Sequence, residues 1–352
     1  MYTVDRTGMI NAAVVGFGYS GRAFQSYLIS LCEGIQLYGV STRSEERRQE
    51  AKSLYPDTKI FNSFEEMLSD RQVDLDVIAT PHDSHAELAI RAMDAGKHVV
   101  TDKVMCLNAR EARSMVAARD RNGVVLSVFH NRRWDWDYLT VRKAIEDGLL
   151  GDPYLYQVGI MRYSAPGRWR GDKASSGGIL YDWPAHFVDQ ALQMVDSQPE
   201  SVYCQLVYLD TWNTDIGNYG NIVIRFENDV RYHIEIGNLA AIERPRWYVC
   251  GDKGALIKYG LDPQETYMRE GRILETVEEG DIRARVTSYV SGDRAEKVLD
   301  SVCGSWTSYY ENIAQVLNNE VELIVTPEQM LSVMRVYDAA VESAASGEAI
   351  RL

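Results

Sequence analysis

The sequence predicts an α/β protein in two parts: an N-terminal doubly wound parallel sheet, then a second α/β domain dominated by antiparallel strands. Three observations carry this. Across residues 9–129 short apolar runs alternate with amphipathic segments, the pattern of parallel strands covered by helices on both faces. After Phe129, strand-like runs follow one another with one helix between them. The chain has 352 residues, 45% hydrophobic and 25% charged, an ordinary globular composition long enough for two domains.

In order along the chain, strands are predicted at 10–15, 35–40, 59–61, 75–79, 98–101 and 124–129. Ser63-Phe64-Glu65-Glu66 and Asn108-Ala109-Arg110-Glu111 fit the capping box, in which a polar side chain and a carboxylate satisfy free amides at a helix start. A helix over about 134–147 ends at Gly148, and strand-like runs follow at 154–163, 201–209, 221–226 and 231–236. The helix between them starts near Pro184 and carries His186, Phe187, Gln190, Ala191 and Met194 on related faces. Thr326-Pro327-Glu328-Gln329 places proline at a first helical position, and Met330, Val333, Met334, Tyr337, Val341 and Ala344 form an apolar stripe behind it. The expected division is 1–130 as the first domain, 131–325 as the second, and 326–352 as a helix resting on the first domain.

Composition narrows the function. A net charge of −14 and a pI near 5.0 repel a phosphate backbone, so nucleic acid is excluded as a partner, while a charged small substrate is not. No run reaches the roughly 20 apolar residues of a membrane span, and the N-terminus lacks signal-peptide grammar, so a cytoplasmic protein is expected. Cys32, Cys106, Cys204, Cys250 and Cys303 are scattered with no paired spacing, and neither disulfides nor a metal site is expected.

Gly16-Phe17-Gly18-Tyr19-Ser20-Gly21 follows a strand and precedes a helix, the context that gives Gly-x-Gly-x-x-Gly its meaning. Gly16 permits the tight turn, Gly18 lets a pyrophosphate approach the backbone, and Gly21 allows the helix to pack closely; free amides at the helix start would bind the phosphates. The alternative is a plain glycine turn. At the end of the second strand an NAD site carries a carboxylate for the ribose, but this chain reads Ser41-Thr42-Arg43. Two hydroxyls and a guanidinium, with Arg47 nearby, suit the 2′-phosphate of NADP better, although NAD stays open. The plain reading is that Arg43, Arg47 and Arg48 form a solvated helix face balanced by Glu45, Glu46 and Glu50.

Lys103 closes the run Gly96-Lys97-His98-Val99-Val100-Thr101-Asp102-Lys103, where a lysine would reach the reacting end of a bound dinucleotide. Asp182 and His186 are four apart around a helix start and can face one side. An alcohol oxidised to a ketone loses its hydroxyl proton, a task suited to histidine; Asp182 would orient the imidazole or hold a substrate hydroxyl, and Lys103 would stabilise alkoxide charge. Taken alone, each residue is more often a cap, a surface histidine or a solvated lysine.

With these pieces in place the chain resembles the Gfo/Idh/MocA oxidoreductases over nearly its whole length. The resemblance is carried by the glycine turn, Thr80-Pro81 followed by His85, Ala95-Gly96-Lys97-His98-Val99, Lys103, and Gly177-Gly178 leading to Asp182 and His186. Asn131-Arg132-Arg133-Trp134-Asp135, Trp169-Arg170 and Lys258-Tyr259-Gly260-Leu261-Asp262-Pro263-Gln264-Glu265 are similar to the NADP-dependent scyllo-inositol dehydrogenase branch. It implies a Rossmann domain, an α/β domain whose large open sheet serves homo-oligomers, dimers or tetramers, and oxidation or reduction of one carbinol in a polyol or sugar. It implies catalytic roles for Lys103, Asp182 and His186, and cofactor contacts from Thr80, Pro81, His85, Asp102, Lys103, Asn131, Trp169 and Arg170. Asn131, Tyr163 and Trp169 would touch substrate, with Arg132 and Arg168 close by.

Two departures stand out. The family's Glu-Lys-Pro is Asp102-Lys103-Val104 here, so either the loop supports a cis Lys103–Val104 peptide or the bond is trans and the lysine approaches by another path. The family's Asp-x-Gly-x-His is Asp182-Trp183-Pro184-Ala185-His186, which replaces a flexible glycine with proline and adds an indole that can wall the pocket. The expected protein is an NADP(H)-dependent dehydrogenase or reductase; the alternatives are a catalytically silent cofactor-binding regulator and a glycosidase that uses bound NAD transiently.

Overall fold

The order of the strands in the first sheet fixes where a ligand can bind. The computed structural model describes residues 8–278, 282–318 and 321–352. It divides into two units: the described part of Met1–Asn131 with Met268–Gly271 and Trp306–Leu331, and Arg132–Tyr267 with Arg272–Ser305 and Ser332–Leu352. In the first, β1 (Ile10–Val15), β2 (Ile35–Ser41), β3 (Lys59–Phe61), β4 (Leu75–Ile78), β5 (His98–Thr101) and β6 (Leu126–Val128) form one sheet in the order 3-2-1-4-5-6. Every pairing is parallel. The order reverses between β1 and β4, and in such sheets ligands bind beyond the carboxyl ends of the strands at that reversal. The turn after β1, the end of β4 at Thr80 and the end of β5 at Lys103 all lie at carboxyl ends.

The helix starts are encoded locally, as the sequence predicts. Ser63 accepts the Glu66 N–H at 3.1 Å while the Glu66 carboxylate accepts the Asn62 N–H at 2.8 Å. Asn108 and Glu111 repeat the reciprocal arrangement at 2.9 and 3.0 Å, as do Thr326 and Gln329 at 3.3 and 3.1 Å. The helix Thr307–Leu317 was not legible, because its tyrosines read as readily as strand. It belongs to the first unit, not to the second domain that residues 131–325 were expected to form. There Trp306 stacks on Phe24 at 5.6 Å, and Phe129 meets Tyr309 at 5.0 Å and Tyr310 at 5.8 Å. The Tyr309 hydroxyl is 2.9 Å from Ser127 Oγ, and Tyr310 donates to Gln25.

The second unit holds a nine-stranded sheet. Its strands are β7 (Pro153–Met161), β8 (Pro199–Val207), β9 (Tyr219–Phe226), β10 (Arg231–Gly237), β11 (Trp247–Gly251), β12 (Gly254–Lys258), β13 (Arg285–Ser288), β14 (Ala295–Val298) and β15 (Ile350–Arg351). The order is 14-13-12-11-7-10-9-8-15, and only β7 and β10 pair in parallel. Alternation sends Tyr156, Val158, Ile160, Tyr232, Ile234 and Ile236 to a buried face covered by the helix Pro184–Met194. The opposite face, with Gln157, His233, Glu235 and Tyr248, is half-covered or exposed.

The C-terminal helix Pro327–Ser346 departs from expectation. Glu328 pairs with Arg119 of the first unit at 2.5 Å, but from Ser332 the helix belongs to the second. The reason is its apolar stripe: Tyr337 is buried, stacks on Tyr181 at 4.7 Å and donates its hydroxyl to the Leu180 carbonyl at 2.8 Å, and Ser343 accepts the Cys204 N–H at 2.8 Å.

Asp76 is an anomaly in the first sheet. It sits mid-strand in β4 opposite Ala13 and Val99, fully buried, and neither carboxylate oxygen has a hydrogen-bond partner among the described residues. Burial pushes its carboxyl up to about 7, against a smaller opposing pull from Lys97. Between an unfolded value near 4 and about 7 the folded chain therefore holds a proton that the unfolded chain has released, so this group makes stability fall as pH rises and then level off. Asp76→Asn removes the titration, and its stability in urea is expected to gain on the parent as pH rises from 5 to 7 and to level off above that, the full effect from about pH 4 being about 4 kcal/mol. A gap that does not change with pH would show that Asp76 ionises normally.

Candidate active site

In the first unit the glycine turn is built by close approach. Gly16 has φ +92° and donates to the Ser41 carbonyl at 2.8 Å; a side chain there would lie 2.7 Å from the Ala79 carbonyl oxygen. A Cβ on Gly21 would come within 1.9 Å of the Gly16 carbonyl oxygen. At Gly18 the space is open apart from Arg47 Nη1 at 3.1 Å, so this side of the turn can admit a phosphate against bare backbone. The turn leads into a π-helical segment, Ser20–Ser26, whose first N–H groups have no carbonyl of their own helix to meet. Phe17 is buried against Val40 and Ala51, while Tyr19 is exposed with its ring edge-on to Phe24 at 5.7 Å.

The three arginines after β2 do not form one uniform solvated face. Arg48 pairs with Glu45 at 2.7 Å, and Arg47 donates to the Phe17 carbonyl at 2.6 Å. Glu50 is taken by Arg22. Arg43 is exposed and has no carboxylate partner among the described residues, beside buried Ser41 and half-buried Thr42.

Thr80 Oγ1 lies 2.7 Å from Ser84 Oγ next to Pro81. His85 is fully buried with Nδ1 at 2.8 Å from the Val104 carbonyl and Nε2 at 2.9 Å from the Thr80 carbonyl. It therefore joins the loop after β4 to the loop after β5. Asp102 donates its N–H to the Ile78 carbonyl and accepts the Lys103 N–H on its carboxylate, both at 2.8 Å. The Lys103–Val104 peptide is cis, the first of the two forms open in the sequence. Lys103 itself is half-buried, Val104 buried. Asn131 is 2% exposed, and its side-chain N–H2 group has no acceptor among the described residues. A buried amide left unpaired costs about 1–3 kcal/mol, so a ligand oxygen there would be favoured.

In the second unit Gly177 (φ +82°) and Gly178 (φ +105°) turn the chain into a single 3-10 turn, Ile179–Tyr181, ahead of Asp182. Asp182 is partly exposed and faces Arg162 Nη2 at 3.3 Å and Arg170 Nε at 4.0 Å. Pro184 opens the next helix, and His186 is buried in its first turn. Two guanidinium groups lie near Trp183, Arg132 at 4.0 Å and Arg246 at 5.2 Å from its ring centre, and the indole meets His186 edge-on at 6.3 Å.

Those guanidiniums are fixed by buried carboxylates: Arg132 by Asp135 at 3.1 Å and Glu265 at 2.6 Å, Arg246 by Asp137 at 2.9 Å. Asp135, Asp137 and Asp262 come within 4.8 Å of one another, a spacing that can hold a metal, but here arginines and backbone N–H groups supply the positive charge. Burial, then Asp135 and Asp137, raises the Asp262 carboxyl well above the usual range, against a smaller opposing pull from the Trp136 and Gln264 N–H groups. Arg132 is thus a buried structural cation rather than an open substrate contact. Arg246 and Asp137 went unread in the sequence, and the segment 258–265, read only as a mark of resemblance, supplies Asp262 and Glu265.

Arg170 lies over the Trp169 ring at 4.7 Å. Tyr163 is 60% exposed and edge-on to Trp212 at 5.5 Å. Arg168 adopts φ +57°, unusual without glycine, and with Pro166, Gly171, Asp172, Asn213, Thr214 and Asp215 lines a cavity of about 600 Å³.

The family model described as the oxidoreductase family, NAD-binding Rossmann fold, matches residues 10–130, and its C-terminal alpha/beta domain matches residues 142–352. A Bacillus subtilis scyllo-inositol 2-dehydrogenase (NADP(+)) is 32% identical over 349 residues, covering 97% of this chain and 96% of that one. An uncharacterized oxidoreductase of Escherichia coli is 34% identical over 339 residues, covering 95% and 96%. A solved Bacillus subtilis structure described as an oxidoreductase matches with a TM-score of 0.91 at 31% identity, covering 99% of each chain.

The buried ion pairs make a contrast that can be measured. Asp137→Ala takes from Arg246 its nearest carboxylate and is expected to lower stability by about 3–5 kcal/mol in urea unfolding. Glu146→Ala, at the exposed Arg142–Glu146 pair, is expected to cost less than about 1 kcal/mol.

Proposed function

Because this chain belongs to the Gfo/Idh/MocA oxidoreductase family, we propose that it interconverts a secondary alcohol and a ketone on a cyclic polyol, inositol or sugar-like substrate, with NADP(H) as cofactor. The observation that carries the cofactor choice is the end of β2, where an exposed guanidinium, Arg43, stands with Ser41 and Thr42 in place of a carboxylate. The open backbone at Gly18 and the Asn131 side-chain N–H2 group, which has no acceptor among the described residues, support a dinucleotide in the same unit. Thr80, Pro81, Asp102, Trp169 and Arg170 complete the proposed cofactor contacts, with His85 acting through the loops it joins.

When bound, the nicotinamide ring supplies the two-electron exchange at the carbinol carbon. His186 takes the hydroxyl proton on oxidation and returns it on reduction. Lys103 stabilises the developing negative charge on that oxygen. Asp182, between Arg162 and Arg170, holds a neighbouring hydroxyl, and Tyr163 and Trp169 offer ring faces to the substrate's apolar side. Lys103, Asp182 and His186 are assigned to one reaction by their match to the family's catalytic positions. The half-exposed face of the nine-stranded sheet supports a homo-oligomer.

Lys103→Met and His186→Ala are expected to lower kcat by about 100-fold or more on a substrate drawn from a polyol, inosose and keto-sugar panel. Fluorescence titration should find NADPH affinity nearly unchanged in both. Full activity in both variants would remove these roles, and a parent protein inert to the whole panel would favour a regulator. Arg43→Ala should weaken NADPH binding by about 10-fold or more and leave NADH binding alone; equal losses for both would count against a 2′-phosphate contact.

A further inference from the structure

A residue 250 positions downstream of the glycine turn touches it. Arg269 Nε donates to the Tyr19 hydroxyl at 3.0 Å. The segment that carries it, Met268–Gly271, belongs to the first unit although the chain on either side belongs to the second. Met268 anchors the excursion, being 2% exposed, and Gly271 reverses it at φ +72° with its N–H on the Met268 carbonyl at 3.0 Å. Arg269 lies between these fixed points and is exposed. Its partner is fixed too, since the Tyr19 ring abuts Phe24, which stacks on Trp306.

The Tyr19 contact brings a full positive charge to the mouth of the turn. At the other end of the same three residues, Arg47 holds the Phe17 carbonyl and overlooks Gly18. Two guanidinium groups therefore flank the stretch Phe17 to Tyr19, whose middle residue leaves bare backbone open. A doubly charged pyrophosphate is the chemical group that fits between such donors.

Resting on the cofactor reading given above, we propose that Arg269 is a pyrophosphate-binding residue of the dinucleotide site, delivered to the glycine turn by the strap Met268–Gly271 and oriented by Tyr19. Its role differs from that of Arg43, because the pyrophosphate is common to both nicotinamide dinucleotides and the 2′-phosphate is not.

The test titrates the full-length protein with NADPH, NADH and adenosine 2′-monophosphate, following dinucleotide fluorescence and, for the mononucleotide, heat of binding. Arg269→Met is expected to weaken NADPH and NADH by a similar factor, about 10- to 100-fold, and to leave the mononucleotide, which has no pyrophosphate, within twofold of the parent. Arg269→Lys should recover part of the loss, and Tyr19→Phe should weaken both dinucleotides by a smaller factor. Unchanged mononucleotide affinity also shows that the Arg269→Met site is folded. Parent-like affinity of Arg269→Met for both dinucleotides overturns the inference and leaves the cofactor reading intact. A loss confined to NADPH overturns it in favour of a 2′-phosphate contact. A parent protein that binds neither dinucleotide removes the cofactor reading itself, and this inference with it.

Discussion

The absence of two side chains governs the first unit. Gly16 and Gly21 let the turn after β1 fold so tightly that the carbonyls of Ala79 and Gly16 lie where Cβ atoms would otherwise be. Neither neighbour can yield, because both are backbone: Gly16 donates to Ser41 in β2, and Ala79 donates its N–H to Val15 at 2.8 Å. A side chain at either position would have to part strands of the parallel sheet. Because those contacts hold the helix start against the ends of β1 and β4, Gly18 is presented outward with its backbone bare. Arg47 and Tyr19 can then be disposed around one fixed point.

The second unit solves a different problem, the burial of charge. Arg132 and Arg246 are each less than 5% exposed and would be prohibitive alone. Their carboxylates make them tolerable, Asp135 and Glu265 for Arg132 and Asp137 for Arg246. Such networks stabilise little in net terms compared with an apolar core, but they hold geometry. Here the neighbouring object is Trp183, packed against the Arg132 and Arg246 guanidiniums beside His186. The indole behaves as a fixed wall.

The sequence made the first unit legible because its signals are local. Strand runs, capping boxes and a glycine turn each span a few residues, and β1, β3 and β5 fall at the predicted bounds. Lys103, Asp182 and His186 stood out by resemblance and spacing together. What stayed hidden depends on contacts remote in sequence. The helix Thr307–Leu317 is held by aromatic packing on Phe24 and Phe129, and nothing in its own residues announces that. Arg246 looks like any loop arginine until Asp137 is beside it, and Arg269 sits in a charged stretch that reads as solvent-facing. The destination of the last helix was misread for a related reason: an apolar stripe says that a helix is buried, not which surface buries it.

The two departures from the family pattern affect the site unequally. Asp102 keeps a carboxylate next to Lys103 and uses it on the Lys103 N–H, so the shorter acid is bound into its own loop rather than left to reach outward. After Lys103, where the family has proline, the Val104 carbonyl meets the His85 ring, which also meets the carbonyl of Thr80. At the other motif, Pro184 surrenders an N–H that a helix start does not use, so the spacing from Asp182 to His186 is kept at no cost in hydrogen bonds. Trp183 is the change that alters shape, because a large ring occupies space beside the imidazole and the guanidiniums hold it there. On the proposed function, selectivity among polyols then divides in two: the Trp183 wall limits bulk near the reacting carbon, while the exposed segment from Tyr163 to Gly171 is left to recognise what projects away from it.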